Sequence, residues 1–459
     1  MPRRRKRNTN PLKWVLVALI AFFILGSAWM LKLCFDLVSQ PPKPPVSVQE
    51  DPSDLPSIFD RQEQTQTEPT QPPAPEVVST ATLCAQGDML MHSGVLNSAK
   101  QEDGSYNFSY IFRYLKEYTA ASDYAVANLE TTFGGPNYPY RGNPEFNCPD
   151  AFAADLKEAG YDLLLTANNH ASDTRTDGIK RTLQTARDAG LATLGTMLTD
   201  QEKKYEIIDV NGIRIGMLCY TYADNVTGDG RPSLNFKDYV SDVGIVNFFM
   251  ENSLPKFYTE VESHLADMEA EGCDAVVFFV HWGKEYETTE NTVQNTIAQK
   301  LCDLGIDVII GGHPHVLQPV ELLSSTTDPA HKTVCVYSLG NAVSNQMKNE
   351  DQAFVTGHSE DGAQFSVTFE KYSDGAVYLA EAKLLPTWVN RNENSGKRQY
   401  DIVPLDKERE AEWAALYGLT DAQYVAAKES YNRSMAIMGT GLEEVNTYLT
   451  GEKTERDGA

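Results

Sequence analysis

The sequence predicts a layered α/β fold, and three observations carry that reading. Short apolar runs of strand character recur along the chain, helix-spaced segments alternate with them, and several of the runs stop abruptly in polar residues. Alternating strands and helices argue for sheet covered by helices. Runs that are apolar at successive positions read as strands buried on both faces.

Taken in order, Val77 to Ala85 is a β-rich run leading to Gly87-Asp88-Met89-Leu90-Met91-His92. Phe108 to Ala121 has helical character, with its aromatics read as packing residues. The second strand, Asp123 to Ala127, ends in Asn128-Leu129-Glu130; Gly134 to Pro149 is loop and Ala151 to Ala159 a short helix. Leu163-Leu164-Leu165 follows Gly160 and stops at Asn168-Asn169-His170, so an amide and an imidazole stand at a strand's carboxyl end, where open α/β sheets bind ligands. Ile179 to Ala189 is a helix and Ala192 to Leu194 a short strand. Asn211-Gly212 between Tyr205–Val210 and Ile213–Tyr220 is a strong hairpin signal. Residues 224–252 form a long irregular insertion of the kind used as a lid or substrate contact. Leu254 to Glu271 is helical, and Asp274 to Val280 is a strand ending in His281-Trp282-Gly283. Val293 to Leu304 is helical, and Ile306 to Ile310 ends in Gly311-Gly312-His313-Pro314-His315. Thr333 to Tyr337 ends in Ser338-Leu339-Gly340-Asn341, and Phe365–Phe369 and Ala376–Leu384 are later antiparallel strands. Asp406 to Thr450 is helical, with a capping-box pattern at Thr420 to Gln423.

The N-terminal region is different in kind. Trp14 to Leu31 holds eighteen residues without a charge, roughly 27 Å as a helix and close to a bilayer core. The span 14–35 reads as one transmembrane anchor, with residues 1–13 cytoplasmic and the body outside the cell membrane. A cleaved signal peptide is the rival reading, with Gly26-Ser27-Ala28 as its site, but the length of the run and Lys32 favour the anchor. Residues 36–76, rich in Pro, Gln and Thr, read as a disordered stalk before a body at 77–400 and a helical segment at 401–459.

Residues 1–39 carry seven Lys/Arg and one acid, a net +6, so the chain's −25 leaves −31 for the rest. Such a body excludes general nucleic-acid binding. Seven cysteines are scattered with no CxxC pair, which argues against a thiolate zinc site.

The polar residues at the strand ends are Asp88, His92, Glu130, Asn169, His170, His281, His313 and His315, all placed at the presumptive edge of one sheet. They include five of the chain's eight histidines. A lone histidine beside an apolar run is usually structural, but buried polar groups need partners, and a metal is the simplest common partner for this set. Imidazole, carboxylate and amide without thiolate suit divalent Mn, Fe or Zn. Two ions sharing one carboxylate need seven protein ligands, and the set leaves one residue over to act as an acid.

Six stretches carry a family resemblance. They are Gly87-Asp88-x-x-x-His92, Asn128-Leu129-Glu130, Ala167-Asn168-Asn169-His170, His281-Trp282-Gly283-x-Glu285-Tyr286, Gly312-His313-Pro314-His315-Val316-x-Gln318 and Ser338-Leu339-Gly340-Asn341. In this order they resemble the CapA-type capsule-synthesis proteins of poly-γ-glutamate production, divergent relatives of the calcineurin-like metallophosphoesterases. The resemblance implies a metallophosphoesterase-like β-sandwich flanked by helices. It implies one ion on Asp88, His92, Glu130 and His315, a second on Glu130, Asn169, His281 and His313, and His170 as proton donor to a leaving group. This chain departs from the phosphoesterase pattern in its Asp-x-x-x-His spacing and in a glutamate, Glu130, at the bridging position. Arg141, Glu285 and Asn341 are candidate substrate contacts.

Two roles follow. One is a membrane-anchored protein assisting capsule or poly-γ-glutamate synthesis or export beside a polymer-synthetase complex. The other is a metal-dependent hydrolase, phosphoesterase or γ-glutamyl amidase, acting on an anionic envelope polymer.

Overall fold

The structure is a computed structural model and describes residues 75–348, 350–394 and 396–456. The expected anchor at 14–35 and nearly all of the stalk lie outside the described residues. Among the described residues, no helix is long and apolar enough to cross a membrane.

In chain order the elements are β1 (Val77–Met89), α1 (Ser93–Ala99), α2 (Lys116–Thr119), β2 (Tyr124–Asn128), α3 (Ala151–Glu158), β3 (Leu163–Leu165), α4 (Arg175–Asp188) and β4 (Ala192–Leu194). There follow β5 (Tyr205–Val210), β6 (Ile213–Tyr222), the short β7 (Asn225–Val226), β8 (Pro232–Ser233) and β9 (Phe248–Phe249), α5 (Pro255–Ala270), β10 (Ala275–His281), α6 (Thr292–Asp303) and β11 (Val308–Gly312). The chain continues through β12 (Leu317–Ser324), β13 (Lys332–Leu339), β14 (Asn341–Val343), β15 (Asp361–Tyr372), β16 (Val377–Asn394), β17 (Lys397–Pro404), α7 (Trp413–Tyr417) and α8 (Asp421–Arg456).

These strands build two large sheets. The first runs β17-β16-β15-β1-β2-β3-β4, with β14 also on β1; the second runs β12-β13-β11-β10-β6-β5, with β9 on β6. Residue alternation explains why the runs are apolar throughout. Along β1, Leu83 and Ala85 face the second sheet while Cys84 faces the helices. On the second sheet, Met217, Val277, Phe279 and Ile310 face inward. Leu218, Phe278 and Ile309 pack outward against α5 and α6. Successive side chains serve opposite faces, so each central strand is buried twice and the order of layers is helix, sheet, sheet, helix.

The expectation of one sheet edge is therefore corrected. Asp88, Glu130, Asn169 and His170 follow strands of the first sheet, and His281, His313 and His315 follow strands of the second. The parallel strands β1-β2-β3 and β6-β10-β11 all end on the same side, and the polar ends meet there.

Other differences are local. Phe108 to Ala121 is not one helix but a 3₁₀ turn at Ser109–Phe112 and the single turn α2. The Asn107 carboxamide takes the Ser109 N–H at 3.0 Å, and Asp155 takes the Phe108 N–H at 2.6 Å, pinning the start of the segment as a turn. β12 escapes a reading by pattern because Pro319 interrupts it, which an edge strand tolerates. β17 is an edge strand of the first sheet, with a charged start that hides its strand character, and it extends to Pro404, inside the stretch expected to be helical. Beyond it, the expected capping box forms: Thr420 N–H donates to Gln423 Oε1 at 3.0 Å and Gln423 N–H to Thr420 Oγ1 at 3.3 Å. α8 then packs Met438, Val445 and Leu449 into the core shared by the sheets.

α5 carries a pH-sensitive contact. Glu260 has Lys204 Nζ at 2.6 Å and His264 Nε2 at 3.7 Å. Burial pushes the Glu260 carboxyl up, but His264 and Lys204 outweigh it and hold it at about 2. Its folded pKa lies below the unfolded value, so it stabilises the fold above about pH 4.5, and that contribution is lost as pH falls toward 2. Urea unfolding of Glu260→Gln should show a deficit of roughly 1–2 kcal/mol at pH 6 that shrinks by pH 3. An equal deficit at both pH values would exclude this origin.

Candidate metal centre

Three turns bring the donors together. The first closes β1. Gly87 has no room for a side chain, because a Cβ there would lie 2.1 Å from the Gly340 carbonyl oxygen. This close approach lets Asp88 N–H donate to Gly340 O at 2.9 Å and aims the fully buried Asp88 carboxylate across the sheet gap. The second follows β2 and β3. Asn128 Nδ2 donates to Asp88 Oδ1 at 2.7 Å and lies 3.4 Å from Glu130 Oε2. Asn168 Nδ2 donates to Asn128 Oδ1 at 3.2 Å and to the Leu129 carbonyl at 2.9 Å. An amide ladder thus fixes the two carboxyl groups.

The third turn, after β11, is strained. His313 and His315 have φ of 97° and 57°, values costly for residues bearing a Cβ. Contacts over-determine the turn: Trp282 N–H donates to Gly312 O at 3.1 Å, Tyr286 N–H to Pro314 O at 2.8 Å and Asn341 Nδ2 to His315 O at 3.2 Å. His313 N–H also reaches Asp88 Oδ2 at 3.3 Å.

The result is two donor groups sharing one residue: Glu130 with His281 and His313, and Glu130 with Asp88 and His315. All five are buried. Glu130 Oε1 stands 3.5 Å from His281 Nε2 and 3.7 Å from His315 Nε2. Asn169 Oδ1 lies 3.0 Å from His281 Nε2, on the side of the first group. Two buried atoms in the cluster, Glu130 Oε1 and His313 Nδ1, have no hydrogen-bond partner. A buried polar atom without a partner costs about 1–3 kcal/mol, and a cation would satisfy both.

The electrostatics fit the same occupant. Burial raises the Asp88 carboxyl, but the His315 hydrogen bond and charge, with help from His281 and Asn128, hold it below the ordinary range. Burial lowers the His315 imidazole, but Glu130 and Asp88 outweigh it and bring it up to about 9. His313 is driven well below the usual imidazole range by burial and by its histidine neighbours. The two carboxyl groups thus favour positive charge at His315, the sign of charge that a divalent cation would bring.

His170 stands beside these groups. Its Nδ1 lies 2.7 Å from Asp173 Oδ2, which also accepts the Phe146 N–H at 2.6 Å. The Phe146 ring sits edge-on to both His170, at 4.6 Å between centroids, and His92, at 5.2 Å. His92 is outside both donor groups. Its Nδ1 accepts the Asn345 N–H at 3.3 Å, and burial lowers its pKa to about 4. Its neighbours are instead Asn345 and the Phe146 ring, with His315 and His170 close enough to act on its charge.

Of the other candidates, Asn341 is buried behind the His313–His315 turn and positions it, donating also to Gln346 Oε1 at 2.9 Å and Ser359 O at 3.0 Å. Glu285 is exposed, and its charge acts on His315, Tyr222 and Tyr286. Arg141 is exposed and paired with Glu145. Residues not singled out from the sequence also matter. Asn128 had a signal in its place at the end of β2, and Asp173 in its place one helical turn after His170. Tyr222, whose ring lies 4.9 Å from His313, had only its position at the end of β6.

Fold and donors together define a two-sheet α/β protein with a buried candidate centre for divalent cations. The chain belongs to the bacterial capsule synthesis protein family PGA_cap, whose profile matches residues 82–346, more than half of its length. It is 31% identical over 278 residues to the PGA biosynthesis protein CapA of Bacillus subtilis (strain 168), covering 59% of this chain and 66% of that one. It is 29% identical over 287 residues to the capsule biosynthesis protein CapA of Bacillus anthracis, covering 61% and 64%. The chain thus spans slightly less than two thirds of the length of these relatives. The solved Haemophilus influenzae NAD nucleotidase (NadN) aligns with a TM-score of 0.40 at 12% identity, over 82% of this chain and 60% of that one, too loosely to carry an argument.

Proposed function

We propose that this chain is a metal-dependent hydrolase of capsule synthesis, acting on an anionic envelope polymer at the outer face of the membrane. The observation that carries the reading is the pair of donor groups joined at Glu130, with its Oε1 and His313 Nδ1 left without partners. Two divalent ions, Mn, Fe or Zn, would supply Lewis-acid charge and an activated water. Asp88, Glu130 and His315 would hold one, and Glu130, Asn169, His281 and His313 the other. His170 is the proton donor. Asp173 keeps the proton on Nδ1 and orients the ring, leaving Nε2 to deliver a second proton to a leaving oxygen or nitrogen. Tyr222 and Phe146 wall the centre and limit water. The uncharged run 14–31 behind a basic block supports the membrane placement, and the family supports work beside a polymer synthetase.

The test is turnover with metal content read on the same samples. The full chain, purified without chelator, is screened against phosphoesters and γ-glutamyl amides beside His170→Ala. The variant should keep its metal and lose about 100-fold or more in kcat. A metal-loaded wild type that turns over neither class would sink the hydrolase reading. The position of His92, outside both groups, favours one alternative, in which the same centre serves a non-catalytic part in polymer synthesis or export.

A further inference from the structure

Beside the centre, one internal carboxylate is held as a ligand would be. Glu145 lies in the loop before Phe146, and its side chain is about four-fifths buried. Its Oε1 accepts from Lys237 Nζ at 2.8 Å and from the Tyr239 hydroxyl at 2.9 Å, while its Oε2 pairs with the Arg141 guanidinium. Arg175 adds a third cation, its guanidinium carbon 4.6 Å from the Tyr239 ring centre. Lys237 and Tyr239 come from the long insertion 224–252, so the grip crosses from that insertion to the 134–149 loop.

Three further facts bear on this grip. Cations gather here although the chain as a whole carries −25. The next residue, Phe146, touches both His92 and His170, so the carboxylate sits one residue, about 3.8 Å of chain, from the wall of the centre. Phe236, just before Lys237, is 85% exposed at φ 59°, following Asn235 at φ 51°. A bulky residue held at positive φ and left in water gains nothing from the interior. It gains if an extended chain lies across it.

We propose that Arg141, Lys237 and Tyr239 form a carboxylate-binding subsite, which Glu145 fills until a carboxylate of the substrate displaces it. The substrate class is then a polymer bearing carboxylates, with one seated here and its neighbouring bond at the His170 wall. The proposal rests on reading the chain as acting on an anionic polymer. No bond is made or broken at the subsite; one charge-assisted contact exchanges for another.

The test measures binding of dye-labelled pentaglutamate to the full chain, with pentaglutamine as the neutral control. Glu145→Gln, which empties the subsite of its own charge, should tighten pentaglutamate about tenfold, and Lys237→Gln should weaken it by a similar factor. Pentaglutamine should respond to neither. If Glu145→Gln leaves binding unchanged or weaker, Glu145 is only a staple between two loops and the proposal falls. If both peptides bind alike, charge is not read and it also falls. Metal content measured on the same samples separates the two readings: stoichiometric metal with no Glu145 effect removes the subsite alone, and a Glu145 effect without metal removes the metal reading alone.

Discussion

Glu130→Ala should take the chain from about two bound divalent ions to well under one. Glu130 is the residue common to both donor groups, so its loss leaves Asn169, His281 and His313 on one side and Asp88 with His315 on the other. The second remainder falls short of the three or four protein ligands of a typical tight site, and the first keeps three but no carboxylate to offset the ion's charge. Elemental analysis of the full chain, purified without chelator, reads this directly. Glu130→Gln keeps the volume and removes the charge, so it separates ligand loss from packing loss. A second readout follows from linkage: an ion at 100 times its Kd stabilises the folded state by about 2.7 kcal/mol. Chelator should therefore lower the melting temperature of the wild type and leave both variants unmoved. Full metal content in Glu130→Ala would exclude a shared carboxylate at the heart of the centre.

The second large effect concerns a residue that is no ligand. Gly311→Ala should cost about 3 kcal/mol or more and lower the melting temperature by about 5 °C or more. A Cβ at Gly311 would lie 2.0 Å from the Tyr337 carbonyl oxygen and 2.5 Å from Trp282 Nε1. Those two atoms form the buried hydrogen bond, 2.9 Å long, that seats Trp282 under the centre. The methyl must push β11 away from β13 or break that bond, and either shift moves the His313–His315 turn. Metal content should fall along with stability. Gly305→Ala, with open space around its Cβ but φ of 87°, should cost only a conformational penalty of about 1 kcal/mol and spare the metal. Equal losses from the two substitutions would mean that the crowding at Gly311 relaxes freely.

Much of the site was legible because each donor ends a strand, and a strand's end is marked by composition. Leu163 to Leu165 gives way to Asn168-Asn169-His170 within a few residues, and no packing information is needed to see it. The number of sheets was not legible. Leu83 and Met217 are equally apolar, and nothing in either run says that they face each other from different sheets. Strand β12 was hidden by Pro319, and β17 by the charges that protect an edge. Asp173 was hidden for another reason: an aspartate after a histidine is common, and only the 2.7 Å contact distinguishes it.

One feature of the topology sets a timetable. β1, which carries Asp88 near its end, is flanked by β2 on one side and by β15 on the other, pairing Val77 with Tyr372. All five residues of the two donor groups precede residue 316, yet the strand that delivers Asp88 is completed only by residues 361–372. A chain emerging from the ribosome holds every one of those residues before it can close the sheet that aims them. Closing so long a loop is entropically costly and slow. Until then β1 presents an unpaired edge, open to wrong partners. Acquisition of the cation would thus come late, as a sign that the chain has finished folding.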